Sequence, residues 1–136
     1  MIVVVDTDAL LGLFDPKDSQ LEKADRVAGL LVEKGAEFMI APTTLGEFAL
    51  LASSRIGVEK TKDALQRIKE MSYGVVEISA DFVGEALALY DRQTSKEESL
   101  FDCYVMAAAR KVGADCIFSF DKGYKKNGFK LAEDVV

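Results

Sequence analysis

The chain has 136 residues, 49% hydrophobic and 29% charged, a balance typical of one globular domain with a sizeable core rather than of a disordered chain. It contains no histidine and only two cysteines, which excludes Ser-His-Asp and Cys-His catalysis as well as zinc sites built on imidazole or four thiolates. The net charge of −6 argues against a protein that coats nucleic acid through bulk electrostatics, but not against an enzyme that meets phosphate through a bound metal.

The first elements alternate between strand and helix patterns. Residues 2–5 are a short run rich in β-branched side chains, which predicts a buried strand. A short helix is predicted over residues 8–14, because Pro16 cannot continue it. Apolar residues spaced by three and four predict an amphipathic helix over residues 19–34, and a second strand follows at residues 38–41.

The same alternation continues to the end of the chain. In order, two helices, a strand, two helices and a strand are predicted over residues 44–54, 59–71, 75–78, 80–93, 100–112 and 116–120. Residues 129–131 add a short fifth strand. Because helices separate the strands, we expect a single α/β domain over residues 1–136, with a central parallel sheet of four or five strands and helices on both faces.

Four acidic residues lie where such a sheet places its functional site, beyond the carboxyl ends of the strands. Two directly follow predicted strands, and two lie within the first turns of helices: Asp6, Asp121, Glu47 and Asp102. Each is flanked by apolar sequence rather than by a run of charges. We therefore expect their carboxylates to converge at one edge of the sheet.

Helix capping is the alternative explanation for each acid taken alone. Asp6 and Asp121 precede predicted turns or helices, and the Thr44/Glu47 and Ser99/Asp102 pairs have capping-box spacing. Capping alone explains the four together less well, because carboxylates packed at one sheet edge repel each other and raise each other's pKa. A divalent cation relieves that repulsion, and an all-oxygen ligand set selects Mg²⁺ or Mn²⁺.

Four segments together resemble the PIN-domain ribonucleases, especially the small toxins of VapBC-type toxin–antitoxin pairs. The matching segments are VVVDTDAL at residues 3–10, APTTLGEF at 41–48, SLFDCYVMAAA at 99–109 and IFSFDKGY at 117–124. Each segment is a weak signal alone, but their order and spacing make the resemblance specific over essentially the whole chain.

The resemblance implies a set of site residues. Its metal ligands correspond to the four acids Asp6, Glu47, Asp102 and Asp121. Ser119 and Thr7 correspond to hydroxyl residues that orient a carboxylate or a water. Many relatives have Asn where this chain has Asp8, so Asp8 either adds a ligand or caps a helix, and we favour the cap.

The implied activity is endoribonuclease cleavage of RNA by a metal-activated water. One or two Mg²⁺ or Mn²⁺ ions would be held mainly by Asp6, Asp102 and Asp121, while Glu47 binds the ion through water or acts as a base. The related toxins form dimers and are inhibited by a small antitoxin protein. By resemblance we expect a homodimer and an antitoxin partner here.

Basic residues near the acids are candidate RNA contacts. Lys122, Lys125 and Lys126 follow Asp121 closely, and Arg55 follows the helix that carries Glu47. They either hold the phosphate backbone or serve only as solvated surface charges.

Two other functions are compatible with the sequence. The first is a catalytically silent PIN-like module that binds RNA or protein. The second is a haloacid-dehalogenase-type phosphatase. In the phosphatase, Asp6 is the nucleophile and Asp8 the acid, but Glu47 and Asp102 have no role.

The sequence also predicts a cytoplasmic protein with no membrane association. Two cysteines within apolar elements indicate reduced, buried thiols. The first apolar run reaches Asp6 after five residues, too short for a signal peptide. The longest apolar run, residues 103–109, is too short to cross a bilayer.

Overall fold

The computed structural model describes all of residues 1–136, and its strands are β1 (Ile2–Val5), β2 (Glu37–Ile40), β3 (Gly74–Val75) and β4 (Cys116–Phe118). They form one fully parallel sheet in the order β3–β2–β1–β4. The chain extends the sheet on one side of β1 and then returns to add β4 on the other side. A topological switch point therefore lies between β1 and β4, where ligands bind in open sheets of this kind.

Helices cover both faces of this sheet. In chain order they are α1 (Thr7–Phe14), α2 (Leu21–Glu33), α3 (Pro42–Ile56), α4 (Val58–Glu70), α5 (Ala80–Asp91), α6 (Leu100–Val112) and α7 (Gly123–Lys126). Side chains alternate across β1, so Val3 and Val5 pack with α1–α4 while Val4 packs with α5 and α6. The predicted α/β architecture, with a parallel sheet covered on both faces, is confirmed.

The edge strands are shorter than predicted. β3 covers two residues, because its partner β2 ends at Ile40 and Pro42 begins α3, which leaves residues 77–78 without a neighbour to pair with. Consistent with this, Ile78 is 52% exposed. The predicted fifth strand is reduced to one parallel bridge between Ile117 and Leu131.

The ends of β1 and β4 position the site. The strands pair up to Val5 and Phe118, and the Asp6 N–H donates to the Phe118 carbonyl at 3.0 Å. The chain then leaves the sheet at both strands, into α1 after β1 and into a turn before α7 after β4. Consequently Asp6 and Ser119 lie side by side although 113 residues separate them in sequence.

No helix combines the length and the apolar character needed to cross a membrane.

Candidate metal centre

Asp6 lies at the N-terminus of α1 and is only 5% exposed. Its Oδ1 accepts a hydrogen bond from the Thr7 N–H at 2.7 Å, so the capping role considered for Asp6 is real. Its Oδ2 faces two hydroxyls, Ser119 Oγ at 3.0 Å and the Tyr124 hydroxyl at 2.9 Å. Capping therefore uses one carboxylate oxygen, and the other belongs to a buried polar cluster.

Ser119 connects three of the acids. Its Oγ lies 3.0 Å from Oδ2 of Asp6 and 3.0 Å from Oδ2 of Asp8, and it accepts from the Asp121 N–H at 3.1 Å. A serine hydroxyl has one hydrogen, so it donates to only one of the two carboxylates at a time. The orienting role that the resemblance implied for Ser119 fits these contacts.

Asp8 lies inside the first turn of α1 and does not cap it, because Asp6 is the N-cap. Its Oδ2 accepts from the Phe120 N–H at 2.9 Å, which fixes the turn after β4. Its Oδ1 is buried and has no hydrogen-bond partner. Asp8 therefore does not cap α1, as the sequence favoured, but connects α1 to the turn after β4 through a hydrogen bond.

Asp102 both caps a helix and contacts the buried polar cluster around Asp6. Ser99 and Asp102 form a capping box at the start of α6, in which the Ser99 N–H donates to Asp102 Oδ2 at 2.7 Å. The other oxygen, Oδ1, lies 3.3 Å from the Tyr124 hydroxyl. The capping box predicted by spacing therefore orients Asp102 with Oδ1 toward the buried cluster.

Glu47 does not belong to a capping box, because α3 begins at Pro42, before Thr44. It is half-buried and forms no ion pair. Burial, together with the charge of nearby Asp102, raises the pKa of Glu47 above its usual range. No structural role in α3 accounts for this acid.

Asp121 is exposed, and its Oδ1 accepts from the Gly123 N–H at 2.8 Å in the turn before α7. It borders a cavity of about 420 Å³ whose lining has no hydrophobic side chain. Glu98 lines the same cavity, and its buried Oε2 has no hydrogen-bond partner. Asp121 is thus the site acid most open to solvent.

Burial dominates the electrostatics of the cluster. It raises the pKa of Asp6 to about 8, with the charge of Asp8 adding to the effect. Burial also raises the pKa of Asp8 to about 6. None of the ion pairs in the molecule involves either residue, Asp102 or Asp121. The carboxylates carry a cost of burial and mutual repulsion that no basic side chain offsets.

The residues present fit a hard divalent cation in chemistry and charge. Every candidate donor is oxygen, and buried oxygens without hydrogen-bond partners surround the cluster, at Thr7 Oγ1, Asp8 Oδ1 and Glu98 Oε2. However, no three acidic side chains stand close enough together to hold an ion in their present conformations. The site supplies the ligand types, while their convergence on one point remains a proposal.

The four basic residues proposed to contact RNA lie in different surroundings. Lys122 and Lys126 line the cavity beside Asp121. Lys125 points elsewhere and pairs with Asp134 at 2.7 Å. Arg55 pairs with Asp18 at 3.1 Å and with Asp15, which follows the C-terminal end of α1. An eight-residue helix is roughly 12 Å long, so Arg55 lies at the opposite end of α1 from Asp6.

The sequence did not single out Tyr124 as a site residue. Its side chain is 2% exposed, and burial beside Asp6 and Asp102 raises its pKa well above the usual range, which keeps the phenol protonated. The signal available was its position three residues after Asp121, where one turn of α7 returns a side chain toward the strand ends.

The PIN domain family profile matches residues 3–130, and this chain belongs to the PIN domain family. Among solved structures it is similar to VapC20 of Mycobacterium tuberculosis, a sarcin–ricin loop cleaving toxin, with a TM-score of 0.82 and 25% identity over 93% of this chain and 95% of that chain.

Two toxin–antitoxin complexes contain chains of the same fold. The match to VapBC2 of Rickettsia felis, bound to a promoter DNA fragment, has a TM-score of 0.72 and 16% identity over 96% of this chain and 97% of that chain. The match to VapBC-1 of nontypeable Haemophilus influenzae has a TM-score of 0.62 and 16% identity over 96% of each chain. A comparison with curated protein sequences gives no match. The predicted resemblance to PIN domains and VapC toxins is confirmed at the level of family and fold.

Proposed function

We propose that this protein is a Mg²⁺- or Mn²⁺-dependent endoribonuclease of the VapC toxin type, which hydrolyses RNA phosphodiester bonds with an activated water. The observation that carries the proposal is a cluster of three acids, buried Asp6 with the partly buried Asp8 and Asp102, contacted by hydroxyls and paired with no basic side chain. The similarity to VapC20, itself a toxin that cleaves an RNA loop, supports the same class of substrate.

In this proposal the carboxylates of Asp6, Asp102 and Asp121 would hold the ion. When bound, Mg²⁺ or Mn²⁺ lowers the pKa of water and stabilises charge on the phosphate. Glu47 accepts the proton of the attacking water, a role that suits a carboxylate whose pKa is raised by burial. Ser119 and Thr7 orient Asp6 and the water, while Asp8 fixes the turn that carries Ser119 and Phe120.

The RNA strand is proposed to pass over the cavity beside Asp121. Lys122 and Lys126 lie on its wall without a paired acid, so they are available to phosphate. Contacts to phosphate fix the position of a strand without reading its sequence. Lys125 and Arg55 are weaker candidates in this structure, because acidic neighbours already pair with both.

The proposed partners are a second copy of the chain and a small antitoxin. The match to chains from two VapBC complexes supports the antitoxin. Both cysteines are free and buried, as expected in the reducing cytoplasm, where we place the protein.

Cleavage of a fluorescent single-stranded RNA, with Mg²⁺ or Mn²⁺ and with EDTA, tests the activity. We expect turnover only with the ion, and loss of turnover in Asp102→Asn. Asp63→Asn removes an exposed acid of α4 and is the matched control, which should keep wild-type activity. Full turnover in EDTA by metal-free protein would overturn the metal mechanism.

A silent PIN-like module is the second candidate, because no three acids are arranged to hold an ion. Titration calorimetry with Mn²⁺ and RNA separates the two functions. RNA binding without turnover at saturating Mn²⁺, across structured and unstructured RNAs, favours the silent module. Membership of the PIN family argues against the phosphatase alternative, in which Glu47 and Asp102 have no role.

A further inference from the structure

Tyr124 joins two acids that come from different elements. Its hydroxyl lies 2.9 Å from Oδ2 of Asp6, at the end of β1, and 3.3 Å from Oδ1 of Asp102, in the first turn of α6. The ring is 2% exposed and packs in the core beneath α5 and α6. A buried phenol placed between two carboxylates has a function beyond filling space, since phenylalanine would fill the same volume.

The two carboxylate oxygens of Asp6 have different hydrogen-bond partners. Oδ2 lies within hydrogen-bond distance of two hydroxyls, those of Tyr124 and Ser119, each of which has one hydrogen to donate. Oδ1 accepts only from the Thr7 N–H and keeps one position open.

The two carboxylate oxygens of Asp102 also have different hydrogen-bond partners. Its Oδ2 is filled by the N–H and the hydroxyl of Ser99, whereas Oδ1 meets only Tyr124. Each acid therefore offers an open acceptor position on one oxygen, and its orientation is fixed through the other contacts.

We propose that Tyr124 is a positioning residue, whose hydroxyl lies between Asp6 and Asp102 and orients two of the carboxylates that would hold a divalent cation. The inference rests on the proposed function and adds a residue to it. Charged carboxylates on Asp6 and Asp102 would repel each other, and the hydroxyl between them, which donates its one hydrogen to one carboxylate at a time, orients both before the ion arrives. Groups that orient the ligands of a metal in this way typically change its affinity about 10- to 100-fold when removed.

Gly123 makes this placement possible. The turn after Asp121 is closed by the bond from the Gly123 N–H to Asp121 Oδ1. A Cβ at this position would lie 3.0 Å from that oxygen and 3.4 Å from Glu98 Oε1. A side chain at this position would require Asp121 Oδ1 to shift by a few tenths of an ångström, which would disturb the hydrogen bond that closes the turn before Tyr124.

Tyr124→Phe tests the proposal, because it removes the hydroxyl and keeps the ring. Mn²⁺ affinity is measured by titration calorimetry on metal-free protein, and we expect the Kd to rise about tenfold or more. Tyr104→Phe is the matched control, since Tyr104 lies on α6, packs against Phe82 and makes no hydrogen bond through its hydroxyl. Cleavage by Tyr124→Phe should be weak at low Mn²⁺ and recover at saturating Mn²⁺.

The outcomes separate this inference from the proposed function. If wild-type protein binds Mn²⁺ and Tyr124→Phe binds it equally well, Tyr124 is structural only and the inference is wrong. Tighter binding by Tyr124→Phe overturns it too, because the hydroxyl would then compete with the ion. If wild-type protein does not bind Mn²⁺, the proposed function itself fails.

A measurement on wild-type protein keeps the test valid even if the variant is unfolded. Saturating Mg²⁺ should shift the near-ultraviolet absorption of a tyrosine, because the acceptors of the Tyr124 hydroxyl gain a cation. An unchanged tyrosine spectrum in protein that binds Mg²⁺ contradicts the inference.

Discussion

Asp6 is buried as an acid whose pKa is about 8, far above the ordinary value of 3.8, chiefly because burial removes water from its carboxylate. The folded protein therefore holds a proton at this site that the unfolded chain releases. Stability from this proton is fully present below about pH 4 and is lost as the pH rises toward 8, the pKa of the folded state. The stability contributed by the proton on Asp8 is lost at lower pH, as the pH rises toward the folded-state pKa of about 6.

Asp6→Asn should remove much of this pH dependence. In EDTA, we expect the variant to be more stable than wild type at pH 8.5, by on the order of 2 kcal/mol, and to show a shallower loss between pH 5 and 8.5. Urea unfolding at several pH values measures both. If Asp6 acts only as a helix cap, replacement by Asn, which caps helices equally well, should leave both the stability and its pH dependence nearly unchanged.

Individual side chains mark the limit of what the sequence predicts. The four acids could be proposed as site residues because each follows a strand or opens a helix, and strand ends of a parallel sheet meet at one edge. The position of Tyr124 three residues after Asp121 was only a weak signal, because its contacts with Asp6 and Asp102 depend on the angle at which the turn returns α7 to the core. The orientation of Asp102 was predictable from its capping-box spacing, whereas that of Glu47 was not, since α3 begins earlier than the pattern indicated.

At the scale of elements, the turn into α7 and α7 itself present three lysines in different directions. Lys122 and Lys126 face the cavity beside Asp121, while Lys125 pairs with Asp134. The sequence placed all three near the site, and only the helical turn separates them. This geometry allows neighbouring lysines in one short segment to be compared with each other.

Replacing Lys122 and Lys126 with Ala should weaken RNA binding and raise KM with little change in kcat. The slope of log affinity against log salt should become flatter by about 0.7 for each lost contact to a single strand. Lys125→Ala is the control and should leave the slope unchanged. Equal effects of the control and the double variant would show that the lysines act only through overall charge.

The strands show the same division between predictable and unpredictable features. β1 was predicted correctly because its four residues are apolar and β-branched, as a central parallel strand requires. β3 was predicted to be longer than it is, because pairing depends on where its neighbour β2 ends and not on its own residues. The hydrophobic pattern reports burial, whereas strand length at an edge is set by the partner.

At the scale of the molecule, a cation that binds the folded state alone should stabilise it. At a free Mn²⁺ concentration 100 times the Kd, the free energy of unfolding should rise by about 2.7 kcal/mol. Thermal unfolding with and without Mn²⁺ measures the effect, and Asp102→Asn should lose it. Equal stabilisation of wild type and Asp102→Asn would show that the ion binds elsewhere on this protein, whose net charge is −6.

The contact between Asp6 and Ser119 spans 113 residues and exists only while β1 and β4 are paired. No local segment can assemble the acidic cluster, so the cluster forms at the same stage of folding as the centre of the sheet. The Asp6 amide, bonded to the Phe118 carbonyl, consequently exchanges with solvent only through openings that separate these two strands. Partial unfolding of the β3 edge leaves the cluster intact, whereas any opening that releases β4 disperses it completely.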